Sequence, residues 1–225
     1  MRWYAHMAFK HVYVMELEVH FGRNSETENI TIQFSNNGGH DSVDIAFQSE
    51  DYDINGHGVT LSCGSTLEPE TKEASSLEVC VASPANIQTP FTLSRHEDET
   101  HLFTYLTAMY TSLEEDEDVK SQTMQGYEEV SKLSSSLLHR YHVESWDTLW
   151  ASGIEVVSDT RSDVAVAVNA SLFAILSSVR EDWAYGLAPG GLTNYYNGHS
   201  FWDTEVMSHR VMMLRPAVRH IYNDY

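Results

Sequence analysis

From residue 10 to about 112, apolar and polar positions tend to alternate. In NITIQFS, Ile30, Ile32 and Phe34 point one way and Thr31, Gln33 and Ser35 the other; VDIAFQ repeats the pattern with Val43, Ile45 and Phe47. HVYVMELEVH is apolar and β-branched and alternates in its second half. Successive side chains on a strand point to opposite faces, so this pattern predicts strands with one face buried. VTLSC, LEVCVAS and FTLSR are further short runs, and NNGGHD, DINGHG and SPANIQTP punctuate them with turn residues. HLFTYLTAMYTSL fits a helical and a strand period alike; its Thr, Tyr and Phe content predicts a strand. Short strands punctuated in this way predict an antiparallel sandwich or barrel.

The acid run in EEDEDVK ends that regime. Clustered carboxylates repel and stay solvated, which predicts a linker or exposed loop. Beyond it the period becomes helical. Tyr127, Val130, Leu133, Leu137 and Tyr141 fall at helical spacing, and ESWDTLWASG reads as a short second piece. Val164, Val168, Leu172, Ile175 and Val179 form a continuous apolar stripe. LAPGGLTNYYNGH is then a long loop, with helix resuming after Asp203. Strands followed by helices predict an α+β chain: a β-sandwich portion over 1–113, an acidic linker over 114–126 and a helical region over 127–225. The 164–179 stripe calls for partners on both sides, and the three or four helices present supply few. Both parts are therefore expected to be incomplete.

Composition narrows the function. The 225 residues carry a net charge of −20, so a nucleic-acid or anionic-membrane partner, which needs a basic face, is not expected. No run of 18 apolar residues predicts a membrane span, and MRWYAHMAFKHVYV lacks the apolar stretch of a signal peptide. Aromatics reach 11%, enough for stacking surfaces as well as a core. The two cysteines, Cys63 and Cys80, form no C-x-x-C. Two half-buried free thiols are the expected state, with a bridge between neighbouring strands the alternative in an oxidising compartment. Sequons stand at Asn29-Ile30-Thr31 and Asn169-Ala170-Ser171; triplets of this kind arise often by chance and do not establish secretion.

Candidate chemistry is sparse. His139 and His142, three apart on a helix near Glu144 and Asp147, have a metal-compatible spacing, but without an H-E-x-x-H motif they read as scattered surface histidines. The acid run lacks the alternating oxygen ligands and the glycine of a calcium loop. No cofactor motif and no G-x-S-x-G elbow is present. The stretch GHSFWDTE, residues 198–205, carries the most. Ser200 and Asp203 have the types and spacing of a capping box, on which reading Asp203 only holds a helix N-terminus. On the alternative reading an indole matches the C–H face of a pyranose and a carboxylate accepts protons from its hydroxyls, so Trp202 and Asp203 serve one sugar.

WASGIEV, AVNASLFAILSSVRED, YGLAPGGL and YNGHSFWDTE, in that order, resemble glycoside hydrolase family 65. RWYAHMAFKHVYVMELEV is similar to that family's N-terminal sandwich in mid-course. The resemblance implies a β-sandwich followed by the first helices of an (α/α)6 barrel, and a glucosyl-containing saccharide or glycoconjugate as partner. It implies inverting cleavage by two carboxyl groups, with phosphate replacing water in the phosphorylases. Trp202 would be the stacking platform and Asp203 the hydroxyl acceptor, with His199, Phe201 and Glu205 as supporting wall. The family's general acid lies well beyond its FWDTE motif and its base later still, so no residue of this chain is given either role, and this chain alone is expected to be inactive. VMSHRVMMLRP departs from the family's usual continuation, which has an aromatic after FWDTE. A non-catalytic saccharide-binding or degenerate relative and a disaccharide phosphorylase are the alternatives.

Overall fold

The structure is a computed structural model describing residues 1–21, 29–34, 43–69, 72, 74–87, 89–95, 100–113, 118–151, 154, 156, 162–178 and 201–202. The chain divides into two compact units, Met1–Glu144 and Ser145–Tyr225.

The first unit is built on a six-stranded sheet: β1 (Arg2–Ala5), β2 (Val12–His20), β8 (Thr100–Thr111), β6 (Glu78–Pro84), β5 (His57–Ser65) and β4 (Gln48–Ile54), in that spatial order. Every neighbouring pair is antiparallel. β3 (Asn29–Ile32) pairs with β7 (Phe91–Ser94) in a separate ribbon. Alternation sorts the large sheet into two faces. Val12 opposes Ala108, Val14 opposes Leu106 and Leu61 opposes Ala82, all buried. They share one core with Val119, Tyr127, Val130 and Leu138 from α1 (Val119–Ser131) and α2 (Ser135–Trp150). The intervening residues of β8 take the other face, where Phe103 meets Phe91 at 5.0 Å and Tyr105 meets Phe34 at 5.3 Å between ring centroids. Helices therefore cover one face of the sheet and the β3–β7 ribbon partly covers the other. The arrangement is compatible with the expected N-terminal sandwich.

Several boundaries differ from those the sequence predicts. β1 and β4 were not apparent in the alternation, because QSEDYDI offers only Tyr52 and Ile54 to the core side. VDIAFQ forms no strand before Gln48, where β4 begins: it makes one isolated bridge, Ile45 to Thr66, and Val43 is 83% exposed. The turn in DINGHG is as expected, with Asn55 and Gly56 both at positive φ (55° and 82°), the geometry of a tight hairpin between β4 and β5. The cysteines are not free: Cys63 and Cys80 face each other across β5 and β6 and are bonded. The sequence offered no way to see that the two strands pair in that register.

Residues 119–126, expected within the linker, are helical. Asp118 is the reason. Its side chain accepts from the backbone amides of Lys120 (3.1 Å) and Ser121 (3.3 Å) and from the Ser121 hydroxyl (2.6 Å), so the end of the acid run is an N-cap. These bonds, led by the Ser121 hydroxyl, hold its carboxyl below the usual range. The helix then breaks after Ser131. Ser134 caps α2 by accepting the Leu137 amide at 3.3 Å, and ESWDTLW continues α2 instead of forming a separate piece. The break shifts the phase of the apolar stripe, so that Leu138 is fully buried and Leu137 only partly. α2 is also tied to the sheet by Glu16, which points inward from β2 and is 1% exposed. It accepts from the Ser135 hydroxyl, and Arg2 Nε lies 2.9 Å from its second oxygen as an ion pair without hydrogen-bond alignment.

α1 crosses the sheet through Gly126. A Cβ placed there would fall on the Tyr110 hydroxyl, and 2.8 Å from its Cε2. An alanine normally stabilises a helix interior by about 1 kcal/mol relative to glycine. Here the sign is expected to reverse, with Gly126→Ala costing about 1–3 kcal/mol through overpacking. Urea unfolding of G126A and of the G126A/Y110A pair checks this: the pair should be less destabilised than the sum of the singles, and a stabilised G126A would contradict the packing.

In the second unit, α3 (Ser162–Leu176) buries Leu172 and Leu176 and partly buries Val164, Val168 and Ile175, as its stripe predicts. Val179 lies outside the described residues. Among the described residues no helix is long and apolar enough to cross a membrane.

Candidate functional site

Of the five residues expected at the sugar site, two lie among the described residues. Phe201 is 43% exposed and Trp202 is 70% exposed. An indole so exposed has a π face open for stacking, the state in which it can receive the apolar face of a pyranose. His199, Asp203 and Glu205 lie outside the described residues.

The second unit carries a further aromatic group that the sequence reading passed over. Trp146 and Trp150 are four residues apart and share a helix face, with ring centroids 6.2 Å apart. Phe173 of α3 lies 5.2 Å from Trp146 and is half exposed. The W-x-x-x-W spacing was the available signal.

The histidines of α2 are not scattered surface residues. His6 is buried; its Nε2 meets the Leu138 carbonyl at 2.9 Å, and its Nδ1 accepts the amides of Ala8 and Phe9 at 3.1 and 3.0 Å. This fixes the proton on Nε2, and burial holds the ring below the ordinary histidine range. His142 Nδ1 accepts the Met7 amide at 3.2 Å, and its ring lies 4.4 Å from that of Tyr4. Burial first, then the neighbouring His6 and His139, push His142 down to about 4. Neutral histidines with Nδ1 already committed clamp the segment after β1 to α2. No group of histidine, cysteine or carboxylate side chains among the described residues is arranged to hold a metal.

In the first unit a cleft of about 550 Å3 is lined by Gln48, Glu50, Ser65, Thr66, Glu78 and Lys120, among others. Lys120 Nζ lies 2.7 Å from Glu50 Oε2, to which the Tyr52 hydroxyl also donates. The Lys120 hydrogen bond, then that of Tyr52, hold Glu50 below the usual carboxylate range. A glycosidase acid must keep its proton near neutral pH, which requires a shift in the opposite direction. Glu50 is held as an anion by Lys120 and Tyr52, a state unsuited to the proton-donating role.

Comparison finds relatives along most of the chain. The chain is 32% identical over 220 residues, 96% of its length, to the protein-glucosylgalactosylhydroxylysine glucosidase of Dictyostelium discoideum, and spans 29% of that protein's length. It is 33% identical over 93 residues to the kojibiose hydrolase of Flavobacterium johnsoniae, 40% of this chain and 13% of that protein. A solved structure assigned as a kojibiose phosphorylase, from human microbiome, superposes on 90% of this chain and 27% of its own, with a TM-score of 0.58 and 12% identity; it speaks to the fold alone. No protein-family model matches the chain. Over most of its length the chain is homologous to members of glycoside hydrolase family 65.

Proposed function

We propose that this chain is the sheet domain and first helical part of a family 65 enzyme that cleaves a glucosyl linkage, with residues 127–225 opening an (α/α)6 barrel. The alignment with the Dictyostelium glucosidase along 96% of the chain carries this reading. Trp202 stacks on the glucose and Asp203 accepts its hydroxyl protons, with His199, Phe201 and Glu205 beside them. Cleavage is inverting: one carboxylic acid protonates the leaving oxygen while a second carboxylate activates water on the opposite face. Neither role is assigned to any of the 225 residues. Glucosylgalactosylhydroxylysine and kojibiose are the substrates to try, after the relatives' names. Phosphorolysis is the second reading, favoured by 31% identity over 102 residues to the kojibiose phosphorylase of Caldanaerobacter subterraneus.

Titration of the chain with glucose and kojibiose tests the platform. W202A and D203A are each expected to weaken binding about tenfold, which is ~1.4 kcal/mol. Unchanged affinity in D203A would return Asp203 to a capping role. Incubation of kojibiose with a longer chain that carries both carboxyl roles, with and without inorganic phosphate, separates the activities. Glucose as the sole product marks hydrolysis, glucose 1-phosphate formed together with glucose marks phosphorolysis, and binding without any product marks a non-catalytic saccharide-binding protein.

A further inference from the structure

We propose that Asn29 carries an N-linked glycan, and that the compartment attaching it is the one in which the Cys63–Cys80 disulfide forms. Two independent observations converge. Cys63 and Cys80 stand directly opposite in the β5–β6 register with Cα atoms 4.1 Å apart, and both of the chain's cysteines are consumed by the bond. A close cross-strand pair brings two thiols into bonding range whenever the strands pair. Such a bond persists in secretory or extracellular surroundings, and glutathione keeps it reduced in the cytosol. The chemistry is thiol–disulfide exchange: Cys63 and Cys80 yield two electrons and two protons to a partner disulfide, which becomes two thiols.

The second observation is the geometry of the sequons. Asn29 and Thr31 are both exposed and lie on the same side of β3, because residues two apart on a strand share a face. Ile30 and Ile32 turn to the other side and are partly buried. Thr31 Oγ1 meets Thr92 Oγ1 at 3.1 Å on the exposed surface. Among the described strands β3 pairs with β7 alone. Asn169 and Ser171 are exposed too, but the geometry of that triplet differs. It lies inside α3, where residues two apart do not face each other, and the Ser171 hydroxyl donates to the Ala167 carbonyl at 2.8 Å. Asn29 and Thr31 thus share an exposed strand face, whereas Asn169 and Ser171 do not share a helix face. In the transfer, Asn29 Nδ2 bonds to the anomeric carbon of an oligosaccharide carried on a lipid diphosphate. The bond from that carbon to the diphosphate oxygen breaks, the lipid diphosphate leaves, and the amide proton passes to a base of the transferase.

The protein isolated from the cells that produce it, without reductant, provides the test. Glycan release by peptide N-glycosidase in heavy-oxygen water should convert Asn29 to labelled aspartate. The accompanying gel shift should vanish in N29Q and T31A and persist in T31S and N169Q. T31A leaves Asn29 itself in place, so its loss of shift is independent of any folding defect in N29Q. A non-reduced digest should contain a cross-linked Cys63–Cys80 peptide. Unlabelled Asn29 throughout, or a shift that disappears only with N169Q, overturns the glycan; alkylated free thiols at Cys63 and Cys80 overturn the compartment.

Discussion

Leu138→Ala is expected to cost about 2–5 kcal/mol, one of the two largest losses anticipated from a change in this chain. The side chain is 0% exposed and belongs to the core that joins α2 to the sheet. Truncation removes its apolar contacts and leaves a cavity that a close-packed interior fills only in part. The Leu138 carbonyl also receives the His6 Nε2–H, but this is backbone and survives the substitution. The measured loss therefore reports packing and not the histidine clamp. Leu137→Ala is the control. Uninterrupted helical spacing from Tyr127 puts Leu137 on the core face, whereas the cap at Ser134 turns Leu138 there instead. The control should cost about 1 kcal/mol or less, as partly exposed positions do. Urea unfolding of both variants decides between the two phases, with midpoints shifted and slopes unchanged. A larger loss at Leu137 than at Leu138 would mean that α1 and α2 form one continuous helix.

The same pair of leucines shows what sequence patterning transmits. The strand character of β2, β5 and β6 is written in their short apolar runs and that of β8 in its Thr, Tyr and Phe content, and each buries one face against a wide core. β4 is polar at most positions and is held by pairing with β5, so its partner, not its own pattern, makes it a strand. VDIAFQ is the converse: an alternating run that acquires only a single bridge. Hydrophobic period indicates which face a segment would bury, and pairing depends on residues far away in the chain. Asp118 was legible only as one more acid in a run, although the same carboxylate starts α1. In the second unit, motif order identified the stretch around Trp202 and the W-x-x-x-W spacing was legible though passed over; in the first, the inward Glu16 needed three-dimensional contacts to emerge.

The second large effect concerns the cross-link. Removing the disulfide in C63A/C80A is expected to lower stability by about 3 kcal/mol, the loss expected from opening a loop of this size. The bonded residues are 17 apart in sequence, so most of the effect lies in the unfolded chain, which gains the freedom that the bond denied it. Two consequences distinguish this from a simple packing loss. C63A alone should cost nearly as much as the double variant, because either substitution opens the loop, and Cys80→Ala on its own should behave the same way. The slope of stability against urea should also rise, since the unlinked chain exposes more surface on unfolding. Cys80 is 0% exposed, so part of the C80A loss is local packing; Cys63 is only partly buried and gives the cleaner measurement. Reduced wild-type protein should match C63A/C80A within that packing difference. If reduction left midpoint and slope where the oxidised protein has them, the bond would contribute nothing, and β5 and β6 would be held together by their ladder and the core beneath it alone.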